Sequence, residues 1–201
     1  MRTRASVLAA GPLLRLLVPI GLAGLGACTP NSAFHATDIS GVMPPLEFQL
    51  TGAAGRPLSG RALAGKVTLL YFGYTSCPDV CPATLLKLGL ALKHLGDDSD
   101  SVRVLFVSVD PQRDSPSVLD KYVGAFGPHI VGLSGTDQEL TALTKRYRVA
   151  YRRSEPDPSG WYAVSHSSAV FVFDRNGRAR LLIGPSETAA QISEDLGALL
   201  H

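Results

Sequence analysis

Cys77 and Cys81 lie in Cys77-Pro78-Asp79-Val80-Cys81-Pro82, directly after the apolar run Val67-Thr68-Leu69-Leu70-Tyr71-Phe72. They are the only cysteines beyond the N-terminal segment. Residues i and i+4 share one face of a helix. Two thiols so placed can clamp one soft metal ion or close a disulfide. A helix N-terminus also lowers thiol pKa, which favours both. The plainer alternative is a pair of small buried hydrophobes, but buried Cys pairs seldom sit at a Pro-flanked turn between strand and helix.

Soft ions such as Cu(I) prefer sulfur, and imidazole suits copper in either oxidation state. Two Cys leave room for a third ligand among the five histidines, His35, His94, His129, His166 and His201. His35 lies in a polar N-terminal stretch, and His201 is the last residue of the sequence. His94 points about 260° around the helix from Cys77. His129 follows Pro128 at a helix exit. His166 sits in Val164-Ser165-His166-Ser167-Ser168, read as a loop that faces the Cys turn, just before the run Ala169-Val170-Phe171-Val172-Phe173. Taken alone, a His before a strand is more often structural. A Cys pair facing it reverses that preference.

The elements that must position these residues follow from patterning. Residues 67–72 form a continuous apolar run, the mark of a central strand buried on both faces. Leu85, Leu88, Leu92 and Leu95 give a helical stripe over residues 78–95. Residues 102–109 read as a second buried strand. Ser115 and Pro116 suit the cap and first position of a helix ending near Phe126-Gly127-Pro128. A short strand at 130–133 and a helix at 137–147 capped by Thr136 come next, and residues 149–151 are extended. Strands at 169–174 and 179–183 join through Asn176-Gly177, a hairpin signal, and a helix over 186–200 closes the chain. Residues 47–60 predict an additional N-terminal β-hairpin. The fold class is α/β with a mixed central sheet flanked by helices. A Cys pair between the first central strand and its helix, with a late antiparallel hairpin, is the thioredoxin plan.

Residues 1–27 carry Arg2 and Arg4, then an apolar stretch ending in Leu25-Gly26-Ala27-Cys28. This is the layout of a secretory signal, and its end resembles a bacterial lipobox. The resemblance implies a lipoprotein signal peptide over 1–27 and lipidation of Cys28; an ordinary signal peptide or an uncleaved anchor helix, with a free Cys28, is the alternative. A tether over 28–45 and a domain over 46–201 would follow. A lipid-anchored protein on the extracytoplasmic, periplasmic face of a bacterial membrane is expected, where disulfides persist. The net charge of +2 includes the Arg residues of the leader. No long basic run marks a nucleic-acid surface, and Lys145-Arg146-Tyr147-Arg148 reads as a solvated face.

The chain resembles the Sco/SenC family of copper-binding, thioredoxin-like proteins over about residues 45–200. The carrying segments are Tyr71-Phe72-Gly73-Tyr74-Thr75-Ser76-Cys77-Pro78-Asp79-Val80-Cys81-Pro82, Ser108-Val109-Asp110-Pro111-Gln112-Arg113-Asp114-Ser115-Pro116, and Val164-Ser165-His166-Ser167. The resemblance implies copper ligands at Cys77, Cys81 and His166; these suit Cu(I), and the nitrogen ligand with nearby oxygens would admit Cu(II) too. It implies a membrane-anchored chaperone for the dinuclear copper centre of cytochrome c oxidase. Its partners would be the copper-bearing oxidase subunit and other periplasmic copper carriers or thiol reductants. Ser165 stands where the family usually has Asp. Asp79 and Asp110 are near-site candidates, with loop hydrogen bonding and helix capping as their alternatives. Two enzyme readings compete. One is a thiol-disulfide reductase whose redox-active pair is Cys77 and Cys81. The other is a peroxiredoxin-like peroxidase, which Pro78 and the lack of a separate resolving Cys disfavour.

Overall fold

The computed structural model describes residues 34–52 and 55–201. The expected leader and Cys28 lie outside the described residues. The chain runs through β1 (Thr37–Asp38), β2 (Gln49–Thr51), β3 (Pro57–Ser59), β4 (Val67–Gly73), α1 (Val80–Leu95) and β5 (Val102–Ser108). It continues with α2 (Pro116–Gly124), β6 (Ile130–Leu133), α3 (Asp137–Arg146), β7 (Tyr151–Arg153) and β8 (Val164–His166), then β9 (Val170–Phe173), β10 (Ala179–Ile183) and α4 (Ala189–Leu200).

Six strands form the central sheet in the order β1-β10-β9-β4-β5-β6. β4, β5 and β6 are parallel, whereas β9 runs antiparallel to β4 and β10 to β9. Every residue of β4 is buried, as its unbroken apolar run requires of a strand covered on both faces. On α1, Leu85, Leu88 and Leu92 are buried while Leu86 and Leu90 stay exposed, so the predicted stripe faces the core. Full burial of each such Leu contributes about 1.5–3 kcal/mol. This βαβ unit, extended by β6 and α3 and completed by the β9–β10 hairpin and α4, is a thioredoxin-like fold.

Helix starts follow their caps. Ser115 accepts from the Val118 N–H with Pro116 in the first turn. Thr136 with Glu139, and Thr188 with Gln191, form full capping boxes. α4 therefore begins at Ala189, behind its cap, rather than at 186. The β9–β10 turn places Gly177 at φ 72°, a conformation that favours glycine. The expected N-terminal hairpin is β2 with β3, paired Leu50 to Leu58.

Two expectations need correction. The stretch 28–45, read as a tether, contributes the edge strand β1, paired with β10. Ala36 and Ile39 are buried there, and the Asp195 carboxylate, itself buried, accepts the N–H groups of His35 and Ala36 at 2.8 Å each. Backbone donors thus satisfy a charge withdrawn from water. The second correction concerns His166. It closes β8, which pairs with β7 as a separate two-stranded sheet, with Tyr151 opposite His166. It does not lie in a loop.

Candidate metal centre

β4 delivers the chain to the site. Its last residue, Gly73, accepts the Val109 N–H at 2.9 Å, which ties the ends of β4 and β5 together. The following turn is pinned by Asp114, a fully buried carboxylate. It accepts Thr75 N–H at 3.0 Å, Thr75 Oγ1–H at 2.5 Å and Ser108 Oγ–H at 2.6 Å. Gly73 is required by close approach. A Cβ there would meet Phe106 Cε2 at 2.5 Å and Cys81 Sγ at 2.9 Å.

α1 begins at Val80, two residues later than the pattern predicts, because Pro78 and Asp79 remain in the turn. Asp79 holds the N-cap position, but its side chain makes no capping bond. Cys81 is fully buried in the first turn, and its N–H points at Cys77 Sγ, 3.5 Å away. Cys77 is half-buried. From the other side, His166 Nε2 reaches Cys81 Sγ at 3.2 Å. His166 Nδ1 lies 2.9 Å from the Ser167 carbonyl oxygen. A carbonyl only accepts, so Nδ1 carries the proton and Nε2 turns its lone pair to the sulfurs. The rings of Tyr71 and Tyr74 meet the imidazole at steep angles, with centroids 6.2 and 5.9 Å away.

The two thiols are unlike. Burial opposes ionisation of Cys77, but the N–H groups of Asp79 and Cys81 and the Cys81 and Tyr74 side chains outweigh it, so its pKa falls below the ordinary thiol value. Burial pushes the Cys81 thiol up to about 12. Burial also lowers the His166 pKa, offset in part by its bond to Ser167, so the ring is held neutral. The site opens on a depression of about 330 Å³ whose lining includes Tyr74, Cys77, Pro78, Val80 and His166.

Among the described residues, Cys77, Cys81 and His166 are the one group of metal-type donors that converges, with all three ligand atoms within 4.8 Å of one another. Donors sharing one ion at bonds of about 2.0–2.3 Å stand no more than about 4.6 Å apart. The set therefore fits a single soft ion after slight contraction. The other histidines are engaged elsewhere or stand apart. His35 meets Glu194, His129 lies between Ser99 and Arg103, His201 meets Asp98, and His94 is exposed on α1. Asp110 is near but is no ligand. It is fully buried and bound by Arg113 Nε and the Tyr162 hydroxyl. Ser165 donates to the Arg152 carbonyl at 3.4 Å, so the ring takes its orientation from Ser167 and not from position 165. Sequence reasoning missed Asp114 and Tyr162. A polar residue in a loop gives no sign of burial, and only the recurrence of Asp114 beside Asp110 in one short segment hinted at a built structure.

Comparison with known proteins agrees. The SCO1/SenC family model matches residues 44–201. The SCO2-like protein of Rickettsia felis is 35% identical over 135 residues, covering 66% of this chain and 65% of that protein. Protein SCO1, mitochondrial, of Saccharomyces cerevisiae is 40% identical over 134 residues, 65% of this chain and 45% of that one. The matched part of this chain thus spans less than two thirds of these relatives' length. Bradyrhizobium japonicum ScoI, solved with copper bound, superposes with a TM-score of 0.72 at 37% identity, over 78% of this chain and 99% of that one. Apo Sco1 of Thermus thermophilus gives 0.73 at 40% identity, over 83% and 97%. The range of the family match includes Cys77, Cys81 and His166, and the chain belongs to the SCO1/SenC family.

Proposed function

We propose that this protein is a membrane-anchored copper chaperone. It holds copper as cargo between Cys77, Cys81 and His166 and delivers it to, or prepares, the dinuclear copper centre of cytochrome c oxidase. The observation that carries this reading is the convergence of two sulfurs and a neutral imidazole nitrogen within 4.8 Å. Thiolate pairs select Cu(I), and the nitrogen extends the set to Cu(II). ScoI of B. japonicum and Sco1 of yeast, both solved with copper bound, support copper as the ion. Cys77 ionises readily and half faces water, so it is the sulfur that an incoming or departing ion meets first. Cys81 is the inner sulfur, and His166 completes the set from β8. The recipient is the copper-bearing oxidase subunit. Lipidation of Cys28 would hold the domain at the extracytoplasmic membrane face. Among the described residues no helix is long and apolar enough to cross a membrane.

The test is anaerobic titration of the reduced protein with Cu(I) and Cu(II), beside His166→Ala. One equivalent of each ion is expected in the wild type. In the variant, Cu(I) binding weakens and the Cu(II)–thiolate charge-transfer band is lost or changed. Normal binding of both ions by the variant, with oxidase assembly intact in cells, overturns the reading. Release of Cys28→Ala from the membrane tests the anchor.

The contrast between the two thiols favours a second reading, a thiol-disulfide reductase in which Cys77 attacks and Cys81 resolves. That activity would survive loss of His166, whereas copper delivery would not.

A further inference from the structure

His166 approaches the sulfurs from a sheet that shares no ladder with the six-stranded one. Pairing within the hairpin fixes β8 against β7 only. A directional joint to the rest of the molecule centres on Asp110, just past the end of β5. The Tyr162 hydroxyl donates to Asp110 Oδ1 at 2.6 Å. Arg113 binds the other oxygen of the same carboxylate. Its guanidinium lies over the Tyr162 ring, 3.8 Å from the centroid, and donates from Nη1 to the Tyr162 carbonyl at 3.0 Å. Ring, hydroxyl and carbonyl of one residue are thus gripped by two neighbours. From β7, Arg153 adds a bond to the Val109 carbonyl at 3.3 Å and an ion pair with Asp110 at 3.9 Å. Tyr162 stands two positions before β8 and four before His166. Nearer the ligand, the Val164 backbone also hydrogen-bonds the Tyr74 side chain, while the apolar contacts of the hairpin are non-directional and set no register.

We propose that Tyr162 is the positioning residue of the third ligand. Its hydroxyl bond to Asp110, braced by Arg113, fixes where β8 ends and so how far His166 stands from Cys81. This rests on Cys77, Cys81 and His166 being the copper donors.

The test uses the full reduced chain as wild type, Tyr162→Phe, His166→Ala and the double variant. Copper release to a chelator and the Cu(II)–thiolate charge-transfer spectrum are recorded for each. In Tyr162→Phe, release is expected about tenfold faster, which is about 1.4 kcal/mol, with the spectrum shifted towards that of His166→Ala. In the double variant, release matches His166→Ala within about twofold, because residues acting through one contact are not additive. The metal-free protein gives a separate reading: the His166 imidazole NMR signals move in Tyr162→Phe while the melting temperature changes by only a few degrees. Arg113→Lys, which keeps the charge at Asp110 but loses the flat fork, shifts the same signals in the same direction. Unchanged release and imidazole signals in Tyr162→Phe overturn the positioning role. So does a full additional effect on the His166→Ala background, the mark of a general structural residue. A wild type without a nitrogen-dependent copper spectrum overturns the donor reading instead, and the imidazole signals still report on the joint.

Discussion

Cys81 Sγ lies 3.2 Å from His166 Nε2, although the two residues are 85 positions apart in the chain. One belongs to the first turn of α1 and is sealed from water. The other ends a small hairpin and is held neutral by burial. The contact joins the most enclosed sulfur to the nitrogen whose lone pair is free, and it orders what each thiol does.

In the reduced, metal-free protein, Cys77 is expected to react with iodoacetamide at least about tenfold faster than Cys81 at neutral pH. Its thiolate is favoured by backbone N–H groups and it is partly open to solvent, whereas the Cys81 thiol is pushed up to about 12. Mass spectrometry of peptides at timed intervals measures the two rates. Equal rates would refute the assigned asymmetry.

Stability of the same protein should decline at alkaline pH. A thiol whose folded pKa is raised holds its proton more tightly when folded. Its contribution is complete below the ordinary value of 9.0 and is lost as pH rises towards about 12. Burial raises Tyr71 and Tyr122 too, so they act in the same direction, and together with Cys81 they outweigh Cys77, whose lowered pKa adds stability as pH rises to 9.0. The slope approaches about 1.4 kcal/mol per pH unit for each such group. Urea unfolding at pH 8 and pH 10 reads it, and a midpoint unchanged between them would refute it.

Gly73→Ala should cost about 1–3 kcal/mol, the usual range for overpacking a close-packed site. The added methyl group collides with Phe106 and with Cys81 Sγ. Copper affinity is expected to fall along with the melting temperature, because the displaced sulfur is a ligand. Calorimetry and a chelator competition measure the two effects on one sample.

Asp195→Ala should loosen β1 and leave the metal centre intact. Two backbone N–H groups lose their acceptor, at about 1–3 kcal/mol for each that stays buried. Limited proteolysis near residues 34–40 is expected to quicken, with copper stoichiometry unchanged.

Much of this architecture was legible because it is local. An unbroken apolar strand, a leucine stripe, Thr136 three residues before Glu139 and an Asn-Gly turn each declare themselves within a few positions. The Cys pair was legible for the same reason, and His166 through its place before β9. β1 and the β7–β8 pair were not. They are two or three residues long, too short for alternation to register, and their partners are set by distant contacts such as Asp195 with Ala36. Tyr162 carried no signal, and Asp114 only its recurrence close to Asp110, since a hydroxyl or a carboxylate in a turn reads as solvated until its burial is seen.

The separation of the two sheets has a further consequence for how the ligand set can vary. The sulfurs are written into the junction of β4 and α1, where the strand is buried throughout and a single methyl group at Gly73 would not fit. The nitrogen is written into a three-residue strand whose ladder touches no other sheet. Exchange of His166 for another donor is therefore a local edit to an appendage, with the fold's main framework left unrevised. Exchange of either cysteine rewrites the framework itself.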